Sequence, residues 1–181
     1  MHVPVNFNKL TLTTVYLLLL WVSGCVSPTR PDPDAAISDG WLLKGRVGIK
    51  STDKTLSFSL LWRQQSESFD IRLNATLGVA VAHVWGDASG VTIEVPGEGR
   101  FEADSASALL LQHTGLSLPI ESLVYWVRGI PDPAAGFERD DSSLVQYGWL
   151  IEYLAFKEDE PVRMRFSRAD VKIMLVVSSW G

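Results

Sequence analysis

Residues Phe69–Trp85, FDIRLNATLGVAVAHVW, predict a β-hairpin from which the rest of the chain can be ordered. The incoming strand alternates apolar and polar residues, which is the period of a strand with one buried face. The return strand, Val79–Trp85, is apolar on both faces, a pattern suited to burial. The turn, Asn74–Gly78, carries Leu77 where connecting segments are normally polar. Two interpretations of Leu77 stay open: it folds back onto the core, or it is held in water to meet a membrane.

Composition narrows the class of protein. The 181 residues are 46% hydrophobic and 20% charged, which fits one globular domain with a sizeable core. The net charge is −5, and the Lys and Arg residues are scattered singly. Because binding to nucleic acid needs a concentrated basic face, this composition argues against a nucleic-acid partner.

The N-terminus predicts a lipoprotein signal peptide over residues 1–24. Its apolar run, Leu10–Trp21, is too short to cross a bilayer, which takes about 20 residues. The following Val22–Cys25, VSGC, resembles the bacterial lipobox, in which the cysteine is acylated and becomes the new N-terminus. Cys25 is the single cysteine, so a disulfide within the chain is excluded and a catalytic thiol is not expected.

Residues 25–40 are therefore expected to be a lipidated N-terminus followed by a stiff, Pro-rich tether. The only cofactor-like group we expect is the covalent lipid on Cys25. Val26 follows the cysteine, and the resemblance to bacterial lipoproteins implies sorting to the outer membrane, because retention in the inner membrane usually requires Asp there. We expect a lipid-anchored protein on the periplasmic face of the cell outer membrane.

Residues 41–181 form one predicted domain. Alternating patterns predict strands, and a change of period after residue 104 predicts two helices, the first over Ala106–His113 with Gly115 as its stop and the second from Pro119 to a stop at Gly129. The predicted strands are Trp41–Lys50, Thr55–Gln64, 69–74, Val79–Trp85, Val91–Val95, Arg100–Glu102, Ser143–Tyr147, Trp149–Phe156, Val162–Phe166 and Val171–Trp180. The order strands, helices, strands favours a mainly β fold: an antiparallel sheet that curls around helices covering its open side.

Catalytic motifs are not found. The chain has no GxSxG, GxGxxG, P-loop, HExxH or CxxC sequence, and its histidines are isolated. We therefore expect no enzyme activity and no metal site.

Aromatic and aliphatic residues remain. The seven Trp residues are accounted for either by a large aromatic core or by an apolar cavity inside a curled sheet, and sequence alone does not separate the two. The candidate cavity residues are Val47, Ile49, Phe58, Leu60, Trp62, Ile71, Trp85, Trp126 and Trp149.

Five stretches in this order resemble the LolB family, the outer-membrane receptors for lipoproteins. They are WLLKGRVGIK at 41–50, Trp62 with Gln64, FDIRLNATLG at 69–78, LPIESLVYWVRGIP at 118–131, and Gly148 with Trp149, and a closing apolar strand follows them. The likeness runs from Trp41 to Trp180. It implies a half-open antiparallel barrel with a helical lid, similar to LolA and LolB, around a cavity for acyl chains.

The resemblance also implies partners. LolB-like proteins accept acylated lipoproteins from the periplasmic carrier LolA and insert them into outer-membrane phospholipid without nucleotide hydrolysis; we expect a monomer. The family's exposed turn leucine matches Leu77, although Thr76 stands where the family usually has Pro. A helix that precedes the first strand in some relatives has only residues 35–40 available here.

Two further classes are weighed against this hypothesis. A structural or assembly lipoprotein would bind a protein partner through its sheet, show no affinity for acylated peptide, and not need Leu77. The third class, a lipid-modifying hydrolase, is not supported, because the chain shows no evident nucleophile and base.

Three arginines, Arg46, Arg63 and Arg72, are candidates for an electrostatic contact with the carrier.

Overall fold

The computed structural model describes residues 40–52, 54–75, 78–114 and 117–181. The predicted signal peptide, Cys25, the tether, and Thr76 with Leu77 lie outside the described residues. Over the described ranges, no helix is long and apolar enough to cross a membrane.

The described residues form eleven strands and two short helices, close to the pattern predicted from sequence. The strands are β1 (Gly40–Lys50), β2 (Thr55–Gln65), β3 (Ser68–Asn74), β4 (Ala80–Asp87), β5 (Gly90–Val95), β6 (Gly99–Ala103), β7 (Glu138–Arg139), β8 (Ser143–Gln146), β9 (Trp149–Lys157), β10 (Glu160–Arg168) and β11 (Val171–Trp180). The helices are α1 (Ala106–Thr114) and α2 (Ile120–Trp126).

All strands belong to one antiparallel sheet, in the order β6-β5-β4-β3-β2-β1-β11-β10-β9-β8-β7. Consecutive strands are neighbours except β6 and β7, and the first strand also pairs with the last, so β1 lies in the middle of the sheet. In the described structure the two edges, β6 and β7, are not paired with each other. The predicted fold class, a mainly β incomplete barrel with a helical lid, is confirmed.

The register divides the sheet into an inner face and an outer face. Leu43 lies opposite Trp62, Trp62 opposite Ile71, and Ile71 opposite Val84, so these side chains share the inner face. Helix α2 packs on this face, and its Trp126 is fully buried in the main core cluster. The alternate residues of each strand point outward.

Helix α1 covers the neighbouring part of the inner face. Its Leu109 packs in a second cluster with Val91 and Val84. Both helices therefore lie against the same face, as the order of strands and helices predicts.

One element was missed. The sequence pattern predicts no strand in residues 132–139, but the segment ends in the two-residue strand β7. Its residues Glu138 and Arg139 pair with Val145 and Leu144 of β8. Two exposed charged residues carry no alternation of apolar and polar side chains, so the sequence pattern gives no strand signal here.

Candidate functional site: an apolar cavity beneath the second helix

A cavity of about 690 Å³ lies between the inner face of the sheet and helix α2. Its size falls within the range of roughly 300–1,000 Å³ common for small-molecule sites. The apolar lining comes from four sheet strands and from the facing side of α2, namely Trp41, Trp62, Phe69, Ile71, Val91, Ile120, Val124 and Tyr125. The cavity is open to solvent at the end of the sheet where β1 begins.

Two indole rings form one wall. The ring centroids of Trp41 and Trp62 lie 5.0 Å apart at 58°. The buried N–H of Trp62 donates to Gln64 Oε1 over 3.1 Å, and Gln64 in turn donates to the carbonyl of Ser66 over 2.8 Å. Because its one polar group is satisfied by a neighbouring strand residue, Trp62 can present an apolar ring to the cavity.

The rim of the cavity is charged and mostly acidic. Four exposed carboxylates, those of Glu67, Asp87, Asp104 and Glu121, belong to residues at the opening, together with the exposed cation Arg128. The hydroxyl and the backbone N–H of Ser89 both donate to the carboxylate of Asp87 and lower its pKa. The carboxyl group of Asp87 is therefore ionised at neutral pH. The site thus has an apolar interior and a wet, negative edge.

Helix α2 is fixed at its N-terminal end by Ser107 of α1. The backbone N–H of Ile120 donates to Ser107 Oγ over 2.8 Å, and the backbone N–H of Ser107 donates to Glu121 Oε1 over 3.0 Å. These contacts satisfy free backbone donors in the first turn of both helices. Hydrogen bonds therefore hold the two lid helices, α1 and α2, together.

The C-terminal end of α2 is fixed to the sheet by Gln146, a buried residue at the end of β8. Its Oε1 accepts from Trp126 Nε1 over 2.8 Å and from the backbone N–H of Asp132 over 2.9 Å. Its Nε2 donates to the carbonyls of Asp132 and Ala135 over 2.7 and 2.9 Å. One side chain thus satisfies the last residue of the lid helix and the loop that follows.

Asp132 continues this network. Its carboxylate accepts from Ser122 Oγ on α2 over 2.7 Å and from the backbone N–H of Ala134 over 2.8 Å. The phenol of Tyr147 lies 3.3 Å from the same carboxylate, and burial together with the Asp132 charge raises the pKa of Tyr147. A buried carboxylate with several donors is compatible with the low-dielectric interior.

Tyr153 of β9 adds a last contact beneath the lid. Its hydroxyl donates to the carbonyl of Trp126 over 3.0 Å. Burial raises the pKa of Tyr153 to about 12, which keeps the phenol protonated at neutral pH and able to donate.

The predicted cavity residues fall into three groups. Trp62 and Ile71 line the cavity. The second group lies on the inner face but packs into or beside the core: Val47, Ile49, Leu60, Trp126 and Trp149 border or belong to the main cluster, and half-buried Phe58 lies opposite Val47. Trp126 and Trp149 are fully buried, so they support the lid and do not face the opening.

Trp85 is the exception, and its assignment to the cavity was wrong. The register places it opposite Asp70 and Thr92, on the outer face. There its ring lies 4.3 Å from that of His83, and the Arg100 guanidinium lies 5.2 Å from the indole centroid. Strand β4 is apolar at nearly every position, so the sequence does not show which of its faces is inside.

The three arginines considered for carrier binding all lie on the outer face, away from the cavity. Arg46 is exposed opposite Ser59, and Arg63 lies opposite Asp70. Arg72 pairs with Asp70 over 3.1 Å. The carboxylate of the same Asp70 also forms a hydrogen bond of 2.8 Å with His83 Nε2. The two residues are 13 positions apart, so sequence spacing does not reveal this contact.

The hairpin turn is described on both sides of Leu77. The backbone N–H of Gly78 donates to the carbonyl of Ala75 over 3.1 Å, and Gly78 has φ +76°, the positive value that favours glycine. Val79 is 64% exposed. Because the β2–β3 and β4–β5 turns border the cavity, the β3–β4 turn lies at the opposite end of the antiparallel sheet.

Several functional residues were missed by sequence reasoning. Ile120 and Val124 line the cavity from one side of α2, and their spacing of four residues was an available signal for a shared helix face. Gln146 and Asp132 carry no such signal, because most of their partners lie 10 to 20 residues away along the chain.

The sequence profile of the family described as "Outer membrane lipoprotein LolB" matches residues 39–180. Proteins named outer-membrane lipoprotein LolB are similar along most of their length. The relative from Stutzerimonas stutzeri is 38% identical over 155 residues, covering 80% of this chain and 75% of the relative. A Pseudomonas putida relative is 38% identical over 152 residues, covering 78% and 74%.

A solved structure supports the fold. The crystal structure of a LolA superfamily protein from Nitrosomonas europaea aligns with a TM-score of 0.51 at 10% sequence identity, covering 78% of this chain and 85% of that chain. At this identity the likeness concerns the fold alone.

Proposed function

The chain belongs to the LolB family of outer-membrane lipoproteins, and on this premise we propose that its half-open cavity receives the acyl chains of other lipoproteins for insertion into the outer membrane. The observation that carries the proposal is the apolar wall of the cavity, built from Trp62, Ile71 and the facing side of α2. The exposed charged groups lie at the rim, and the one buried carboxylate of the lining, Asp132, is held by hydrogen bonds from Ser122 and Ala134. An acyl chain needs an apolar interior, and the lipoprotein's polar remainder needs a wet opening.

The proposed transfer uses differences in affinity and not a chemical reaction. Each buried methylene is worth about 0.8 kcal/mol. A cavity that covers acyl chains more completely than the donor does, and less completely than a bilayer, passes its cargo downhill in both steps. The His83–Asp70 pair lies on the outer face, so it does not equip the cavity for hydrolysis.

The proposed donor is the periplasmic carrier LolA, and the proposed acceptor is outer-membrane phospholipid. Acylation of Cys25 would hold the protein at that membrane, because several acyl chains give nearly permanent anchoring. We further propose that Leu77, which stands between strands β3 and β4 in the sequence, contacts the bilayer. The exposed Val79 beside it and the turn's position opposite the cavity opening support this role.

The proposed tether is long enough for this contact. Strand β1 has 11 residues and spans about 36 Å. The 15 residues from Cys25 to Gly40 can reach ~50 Å when extended. A domain held at Gly40 can therefore still bring its far end to the membrane.

Binding of a fluorescent acylated peptide to the anchored protein in detergent tests the proposal. We expect saturable binding that an unacylated peptide of the same sequence does not compete away. Equal competition by both peptides would instead favour a structural lipoprotein that binds protein surfaces.

A further inference from the structure

The outer face of the central strands is basic, although the whole chain has a net charge of −5. Strands β1, β2 and β11, whose residues are all described, contain no Asp or Glu. The cations of this surface, which we call the basic face, come from β10, β11, β1 and β2: Lys44, Arg46, Lys50, Arg63, Arg163, Arg165 and Lys172. Two carboxylates flank this face, since Glu152 pairs with Arg165 over 3.1 Å and Asp70 lies opposite Arg63, while many other carboxylates lie in turns and at the cavity rim.

The register brings like charges together on this face. Lys50 lies directly opposite Lys172, and Arg46 and Arg163 both lie opposite Val176. These four cations are exposed. Like charges in cross-strand positions destabilise a sheet, and a bound anionic surface relieves that repulsion.

The side chains between the cations indicate which kind of anionic surface fits. Arg46 lies opposite Ser59, and Gly48 lies between Ser57 and Met174, so the spaces hold small polar residues together with half-buried Met174 and exposed Val176. Protein interfaces are depleted in lysine and have an apolar centre. An anionic headgroup layer, by contrast, attracts clustered Lys and Arg side chains without needing shape complementarity.

We propose that the basic face rests on the anionic headgroup layer of the membrane to which the protein belongs. The cavity and α2 lie on the other side of the sheet, so this pose holds the cavity side toward the periplasm, where cargo arrives. The hairpin tip then acts in a second pose, with the sheet tilted toward the bilayer. That this orientation serves to receive cargo rests on the proposed function. The contact between the basic face and lipid does not depend on the cavity.

The experiment uses the full lipidated protein in vesicles of phosphatidylethanolamine, with or without phosphatidylglycerol. A fluorophore is attached at Ser57→Cys, an exposed outer-face position. Quenching by lipids labelled near the headgroup reports the proximity of the face to the membrane. We expect several-fold stronger quenching in the anionic vesicles, falling to the neutral-vesicle level at high salt.

The test variant is Arg46→Glu with Lys172→Glu, which we expect to abolish the extra quenching. The new carboxylates lie close to Arg163 and Lys50, so cross-strand repulsion falls and folding is preserved. Arg139→Glu with Lys157→Glu makes the same charge change at exposed positions off the basic face and should keep the quenching.

Equal quenching in both kinds of vesicle, or quenching unchanged in the test variant, overturns the proposal. If the test variant loses delivery from the carrier while its quenching stays intact, the proposal is also overturned, and the face is assigned to a protein partner. Binding of acylated peptide is measured on the same samples. Its failure refutes the proposed function and leaves the lipid contact to be judged by the quenching.

Discussion

The indole N–H of Trp126 donates to Gln146 Oε1 over 2.8 Å, and through this contact the lid helix is tied to strand β8. The same amide serves three backbone groups of the loop after the helix. Gln146→Leu leaves these buried groups without their partner, each at a cost of about 1–3 kcal/mol. We expect the free energy of unfolding, measured by urea denaturation, to fall by roughly 3–5 kcal/mol. The exposed Gln65→Leu should change it little; similar losses in both variants would mean that the network does not stabilise the lid.

Gly45 and Gly48 lie in the same strand but meet different surroundings. A Cβ on Gly45 would stand 2.5 Å from the carbonyl oxygen of Val176, next to a break in the β1–β11 register, whereas a Cβ on Gly48 meets its nearest atom at 3.9 Å. Gly45→Ala should lower the free energy of unfolding by about 1–3 kcal/mol through overpacking. Gly48→Ala serves as the matched control and should be nearly neutral. Thermal denaturation of both variants checks the difference.

Ala134 borders the cavity, and Gly136, two residues later, does not and has open space where a Cβ would be. Ala134→Trp puts a large side chain at the opening and should weaken binding of acylated peptide about tenfold or more, which is ~1.4 kcal/mol. Gly136→Trp should bind as the unmodified protein does. Equilibrium titration with a fluorescent acylated peptide gives both affinities, and unaltered binding by Ala134→Trp would argue that acyl chains enter elsewhere.

Leu77→Glu tests the proposed membrane contact. Burying a leucine is worth about 2 kcal/mol, so its loss should slow release of cargo into liposomes by ~30-fold while leaving uptake from the carrier intact. Val79→Glu should act in the same direction, because Val79 is exposed beside it. Leu111→Glu, at an exposed position on α1, is the control. Unimpaired release by Leu77→Glu contradicts the proposed role.

The buried phenol of Tyr153 should make the free energy of unfolding fall at alkaline pH. Its pKa is raised by burial from 10 to about 12 in the folded protein, so the folded state prefers the protonated phenol. This contribution is complete below pH 10 and is lost as the pH rises from 10 toward 12, at roughly 1.4 kcal/mol per pH unit. Tyr153→Phe removes the hydrogen bond to Trp126 and should lower stability at neutral pH while flattening this alkaline slope. Urea denaturation across pH 8–12 compares the two slopes, and parallel slopes would assign the alkaline loss to other groups.

The sequence predicted the strands well because most of them bury one face. In β10, Met164 and Phe166 are buried and alternate with Arg163 and Arg165, so periodicity and structure agree. Strand β4 shows the limit of this reasoning. Its residues are apolar on both sides, and only the pairing of Trp85 with Asp70 across β3 fixes which side is outside.

The candidate site was predicted in part for the same reason. Trp62 and Ile71 were found because their strand pattern points them inward. Trp126 and Trp149 were assigned to the cavity as aromatic residues, yet both are core. What buries them is packing of α2 on the sheet and the Gln146 network, which depend on contacts distant in sequence.

The position of β1 has a mechanical consequence. It pairs along its length with both β2 and β11, and Leu42 and Gly181 exchange backbone hydrogen bonds of 2.6 and 2.9 Å. In an antiparallel sheet these bonds run perpendicular to the strands. A force applied to Gly40 along the strand therefore acts in shear on two ladders of hydrogen bonds at once, those to β2 and to β11. An edge strand has only one ladder, whose bonds can break one after another. A domain that is anchored through its first strand is thus attached where the sheet resists force best. The force from a fluctuating membrane is distributed over the central strands of the sheet.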